Sequence, residues 1–184
     1  MADRDDPGPD RRKFLKVATT CAVGGGVGLA VGVPALGLLA GPASATTVTT
    51  PTEPLDLGPL DRFKIGGDPR RVEVVAPVVQ DGWTSARDVV LGAAWIRRLD
   101  DQKLEAFSSV CPHLGCAIGY VRGAAPGAGH YLCACHDSKF DVAGARTAGP
   151  VERGLDPLPV EIRGGRLRLT WMRYRLGGAS REPA

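Results

Sequence analysis

Two short motifs in the second half of the chain constrain its fold more than any other feature. They are Cys111-Pro112-His113-Leu114-Gly115-Cys116 and Cys133-Ala134-Cys135-His136-Asp137-Ser138. Each offers one Cys and one His at ligand spacing, plus one further Cys. Two Cys and two His are the donors a 2Fe–2S cluster needs when thiolates hold one iron and neutral imidazoles the other. Neutral nitrogens in place of two thiolates make such a cluster easier to reduce.

The count of reactive side chains agrees. Four of the five cysteines and two of the three histidines lie in the two motifs. The expected ligands are Cys111 and Cys133 on one iron and His113 and His136 on the other. Cys116 and Cys135, one per motif, remain to form a disulfide between the two loops. Such a bond needs an oxidising compartment to persist. A zinc site is the competing reading, since two Cys and two His can also hold zinc tetrahedrally. Cys-x-His and Cys-x-x-His are not finger spacings, and a finger has no use for the extra cysteine pair. A pure disulfide scaffold would not need His beside Cys twice.

These residues resemble the Rieske iron–sulfur family, in the branch with the extra cysteine pair. That branch includes the iron–sulfur subunits of cytochrome bc-type quinol oxidases and the small subunit of arsenite oxidase. The resemblance covers about residues 60 to 172 and is strongest from Ser109 to Ile162. It includes Gly149-Pro150 and the stretch Leu155-Asp156-Pro157-Leu158-Pro159-Val160. It implies that the loop Ala148-Gly149-Pro150-Val151 covers a third side of the cluster. It also implies that Ser138 donates a hydrogen bond to a cluster sulfide and so stabilises the reduced state. Two positions depart from the commonest pattern, Gly-Ser-x-Tyr after the second His. Here Asp137 adds a negative charge, and Phe140 has no hydroxyl to offer a cysteine sulfur. Both changes lower the expected potential, which suits a donor such as menaquinol.

The function implied by the resemblance is that of the iron–sulfur subunit of a quinol–cytochrome c oxidoreductase. Quinol would bind in a b-type cytochrome partner. His136, as the catalytic residue, would face the quinol hydroxyl and take its proton, and the electron would pass to a c-type cytochrome. Two alternatives remain: the Rieske subunit of a periplasmic molybdenum oxidoreductase such as arsenite oxidase, and a soluble periplasmic electron carrier. A net charge of +3 is too small and too dispersed to argue for nucleic acid.

The N-terminus reads as a membrane address. Asp10-Arg11-Arg12-Lys13-Phe14-Leu15-Lys16 resembles a twin-arginine export signal, a route for proteins that cross already folded. The run from Val17 to Ala40 then carries no charge over 24 residues. At about 1.5 Å per residue that spans a bilayer of about 30 Å. Five basic residues precede the run and none follows until Arg62, which places the N-terminus inside and the remainder outside the bacterial cytoplasmic membrane, on its periplasmic face. Ala43-Ser44-Ala45 reads as a competing signal-peptidase site; a retained anchor is favoured. Cys21 is read as an apolar packing residue.

The expected organisation is a cytoplasmic signal region (1–16), a transmembrane segment (17–41), a Pro/Thr-rich linker (42–60), a Rieske head (61–176) and a disordered tail (177–184). Abundant Gly and Pro with few aromatics favour a loop-rich all-β head of stacked antiparallel sheets, with the cluster at one tip. Strands are predicted over Arg71–Ala76, Ala94–Leu99, Leu104–Ser108, Ile118–Val121, His130–Cys133, Val160–Arg163 and Arg166–Thr170, with hairpin turns at Asp100–Lys103 and Gly164-Gly165. Trp83, Trp95 and Trp171 are read as core, and His130 as structural or surface.

Overall fold

A computed structural model describes residues 11–44, 51–81 and 83–184. Its N-terminal element is a single helix, α1 (Arg11–Ser44). Within it Lys13–Leu38 is long and apolar enough to cross a membrane. Phe14, Leu15, Val23, Leu29, Leu36 and Leu38 are all exposed, so the apolar surface runs round the helix rather than along one stripe, as a lipid-facing helix requires. The two hydroxyls near its start are satisfied internally: Thr19 Oγ1 donates to the Leu15 carbonyl at 2.7 Å and Thr20 Oγ1 to that of Lys16 at 2.8 Å. Hydrocarbon offers them no other partner. The expected signal region through Asp10 and the processing position after Ala45 lie outside the described residues.

The β domain contains three antiparallel sheets among the described residues. The first pairs β1 (Leu55–Pro59), β10 (Arg166–Leu169) and β9 (Val160–Arg163). The second pairs β2 (Arg70–Gln80), β3 (Ser85–Arg98) and β4 (Leu104–Ser108). The third runs β5 (Gly119–Val121), β6 (His130–Cys133), β7 (Ser138–Phe140), β8 (Arg146–Ala148). The first two sheets share one core, which includes Leu55, Leu57, Val74, Ile96, Leu167 and Leu169. The third sheet has its own, built from Phe107, Cys111, Ile118, Tyr131, Cys133, Phe140, Val151 and Leu155.

Turn chemistry explains the hairpins. Asp100 Oδ1 accepts the N–H groups of Gln102 and Lys103, both at 2.8 Å, which closes the β3–β4 turn. Gly164 and Gly165 both have positive φ, +58° and +71°, the pair of left-handed residues that a two-residue hairpin turn needs.

Four expectations are corrected. The linker does not reach residue 60: Leu55–Pro59 is a strand against β10, with Leu55 and Leu57 buried. A Pro- and Gly-containing segment carries little strand signal of its own, and its partner lies more than a hundred residues away. The tail from Gly177 is not disordered: Arg175 N–H donates to the Glu182 carbonyl and Ala184 N–H to that of Arg173, both at 2.9 Å, which folds the terminus into a hairpin. Trp83 is not core; it sits at the β2–β3 turn and is exposed, while Trp171 is buried and Trp95 half-buried. Finally, β2 and β3 extend well beyond the predicted strands, as one long hairpin.

Gly92 of β3 marks the closest approach inside the first core. A Cβ there would lie 2.5 Å from Cη2 of Trp171. Gly92→Ala is therefore expected to cost about 2 kcal/mol, the usual size of an overpacking penalty, measured by denaturant unfolding of the oxidised head.

Candidate metal centre

The two motifs sit where β-structure runs out into loops. The first follows β4, and its turn is closed by the Gly115 N–H donating to the Cys111 carbonyl at 3.0 Å and the Cys111 N–H donating to the Cys116 carbonyl at 2.8 Å. The second is the β6–β7 connection. The register of that hairpin pairs Tyr131 with Phe140 and Cys133 with Ser138. Side chains alternate along a strand, so these four share one face, and all four are buried. Leu132 and Lys139 take the other face.

The structure brings every predicted site residue to this end of the domain. Cys111 and Cys133 are buried, each 1% exposed. His113 is half-buried and His136 exposed, with ring centroids 4.9 Å apart and planes nearly perpendicular. Cys116 and Cys135 form the predicted disulfide, with Cα atoms 6.6 Å apart, and it ties the two loops together. His130 is half-buried on β6.

Burial pushes the Cys111 thiol up to about 11, and the neighbouring Cys133 thiol adds to the rise; the N–H groups of His113 and Leu114, which donate to its sulfur, pull the other way. Empty of metal, the thiol is protonated at neutral pH, so ligation must release a proton. The same N–H groups would favour a bound, more negative sulfur.

Ser138 tests whether the site suits a sulfide-containing cluster. Its hydroxyl is buried and has no hydrogen-bond partner among the described residues, a costly state for a polar group. It lies beside Cys133 on the buried face, where a sulfide acceptor would satisfy it. Gly149 presses on it from the third side: φ is +94°, and a Cβ would lie 2.4 Å from Ser138 Cα and 2.8 Å from its Oγ. The donor set and the orphan hydroxyl fit a 2Fe–2S cluster better than a lone zinc.

The Rieske 2Fe–2S domain family matches residues 61–159. The chain belongs to this family. Among its relatives, the menaquinol:cytochrome c reductase iron–sulfur subunit of Geobacillus thermodenitrificans is 27% identical over 86% of this chain and 89% of its own length. A cytochrome b6-f complex iron–sulfur subunit from Synechococcus sp. (strain CC9605) is 25% identical over 84% of this chain and 81% of its own. A solved hyperthermophilic respiratory Complex III contains a chain that is 20% identical, covering 79% of this chain and 98% of that one, with a TM-score of 0.41.

Beneath the two cysteines of this Rieske domain lies an aromatic floor. Tyr131 sits 5.8 Å from Trp95, 6.1 Å from Phe107 and 5.3 Å from Tyr120, all at steep angles. Trp95 Nε1 donates to the Ile118 carbonyl at 3.1 Å, which links β3 to the strand after the first motif. Sequence reasoning did not single out this floor, although Tyr131 was legible as the residue two before Cys133 on the same strand face. Arg153 was also missed. It is buried in an ion pair with Asp156 at 2.8 Å, and the Asp156 carbonyl accepts the Ser108 N–H at 2.8 Å, just ahead of the first motif. The sequence around Arg153 gives no signal of this role.

Both departures from the family pattern have a structural reading. Asp137 adopts φ +52°, the left-handed region, which explains why Gly is common there and why Asp is among the few tolerated alternatives. Its carboxylate lies 3.2 Å from Lys139 Nζ, so its charge is partly offset. Phe140 is fully buried. Asp137→Gly is expected to stabilise the domain by about 1 kcal/mol, by removing a left-handed non-glycine residue, and to raise the cluster potential; unfolding curves and voltammetry on the same sample read both.

Proposed function

We propose that this chain is the Rieske iron–sulfur subunit of a quinol–cytochrome c oxidoreductase. The observation that carries the reading is the division of the donor set: two buried thiols, and two imidazoles held together at the surface, one of them exposed. A partner can then reach the imidazoles without reaching the sulfurs.

In this reading Cys111 and Cys133 hold one iron and His113 and His136 the other, and Ser138 donates to a sulfide. The cluster supplies a one-electron acceptor that withdraws density from its two imidazoles. His136 receives the hydroxyl hydrogen of quinol on its outer ring nitrogen, since it is the more exposed of the pair, and holds that proton once the cluster is reduced. His113 flanks it. The disulfide and the Gly149–Val151 loop exclude water from the thiolate side. Leu114, exposed beside His113, gives the tip an apolar contact for the mouth of the quinol site in a b-type cytochrome subunit. A c-type cytochrome then takes the electron.

The helix α1 is the single-pass anchor in this reading. The twin-arginine pair lies on its cytoplasmic side and the head on the outer face. The relatives named above match along most of this chain and of their own length, and they are subunits of quinol:cytochrome c reductase and b6-f complexes. That favours a bc-type partner over a molybdenum enzyme or a free carrier.

Replacement of Cys111, His113, Cys133 or His136 by Ala, one at a time, is expected to abolish the cluster, because one iron loses half its protein ligands. Iron and acid-labile sulfide analysis reads the result; one zinc with no sulfide in the wild type would end the reading. Purification of the intact chain from membranes is expected to bring b-type haem with it and cluster reduction on addition of menaquinol. Co-purified molybdopterin in place of haem would overturn the quinol assignment, and a mature N-terminus at Thr46 would overturn the anchor.

A further inference from the structure

We infer that the C-terminal hairpin, residues 173–184, forms part of the docking surface for the quinol-binding membrane partner, with Leu176 as a second apolar contact beside Leu114. The inference rests on the proposed function above.

Leu176 is 47% exposed and Leu114 62% exposed. Leu176 packs on the first motif one residue after Leu114: a Cβ on Gly115 would lie 3.0 Å from Leu176 Cδ1. The next residue, Gly177, donates its N–H to the Pro112 carbonyl at 2.9 Å, and a Cβ there would lie 3.7 Å from the His113 carbonyl oxygen. The hairpin therefore lies against the turn that carries His113 and adds its leucine to the same tip.

A chain terminus usually frays, and a frayed leucine would contribute little to an interface. Here Arg153 prevents it. Its side chain is 4% exposed. Nε and Nη2 donate to the two Asp156 carboxylate oxygens at 2.8 and 2.9 Å. Nη2 also donates to the Arg175 carbonyl at 2.7 Å, and Nη1 to the Gly178 carbonyl. The two tail carbonyls it grips flank Leu176 and Gly177. Arg153 is thus a positioning residue for Leu176.

The occupant follows from continuity with the imidazole tip. A pocket that admits a quinol ring is mostly apolar with few polar groups. A surface that offers two leucines around His113 and His136 complements its mouth.

Two measurements on the full chain assembled in its membrane complex test this. The first is Leu176→Arg, at a half-exposed position that tolerates it. Quinol-driven cluster reduction is expected to fall about tenfold, the loss typical of a removed interface anchor, while the dithionite-reduced EPR spectrum stays as in the wild type. The second is a nitroxide on Leu176→Cys in a Cys21→Ala background, which leaves one reactive thiol. The label is expected to be mobile in the chain alone and immobilised on assembly. A wild-type complex that quinol does not reduce overturns the functional reading. A complex that quinol reduces, with a mobile label and unaltered Leu176→Arg rates, overturns the docking inference alone. An altered EPR spectrum in Leu176→Arg would assign the residue to cluster support, and that also overturns it.

Discussion

The register of β6 against β7 is the constraint on which the rest of the site depends. Cys133 opposite Ser138 and Tyr131 opposite Phe140 place two aromatic rings, a thiol and a hydroxyl on one buried face. A slip of β7 by one residue would turn Ser138 and Phe140 outward. No two-residue turn enforces the pairing; the connection is the second motif itself. The disulfide from Cys135 and the close contact of Gly149 with Ser138 supply what the turn does not. One ties the connection to the first motif, and the other leaves no room for the strand to move.

The division between sulfur and nitrogen donors follows from this packing. The thiols belong to the hydrophobic core of the third sheet and are part of its stability. The imidazoles lie beyond the core, on loops. In the proposed reading, a buried thiolate side limits water and oxidants, and an exposed imidazole side can meet a partner and exchange a proton. The floor of Trp95, Phe107, Tyr120 and Tyr131 carries that packing down to the β2–β3–β4 sheet. Asp68 fastens the rim, accepting Tyr120 Oη at 3.2 Å and the Gly127 N–H at 3.0 Å.

The position after the second histidine shows how a backbone requirement and an electrostatic one meet at a single residue. Left-handed φ favours Gly, and Asp satisfies it at some cost. The charge that Asp brings is then partly matched by Lys139, two residues on and on the solvent-facing side of β7. A count of charges in the sequence would assign Asp137 a full effect on the potential. The ion pair reduces that effect, and solvent screens it further.

The sequence by itself determined what local chemistry can specify. Leu104–Ser108, His130–Cys133 and Val160–Arg163 carry alternation and turn signals within their own windows, and all three are strands with the predicted bounds. The paired motifs, the Cys116–Cys135 bond and the apolar N-terminal helix were equally legible, because ligand type, cysteine parity and an unbroken apolar run need no partner to be recognised. Only the tertiary structure decided the rest. Leu55–Pro59 is a strand because β10 pairs with it; Ser138–Phe140 and Arg146–Ala148 are too short to show a period. Trp83 is exposed because β2 and β3 run past the core that a tryptophan would otherwise join. Residues 177–184 are ordered because Arg153, more than twenty positions earlier, holds the Arg175 and Gly178 carbonyls. For Leu55–Pro59 and for the tail, the deciding contact joins segments far apart in the chain, and a local pattern carries no information about such a partner.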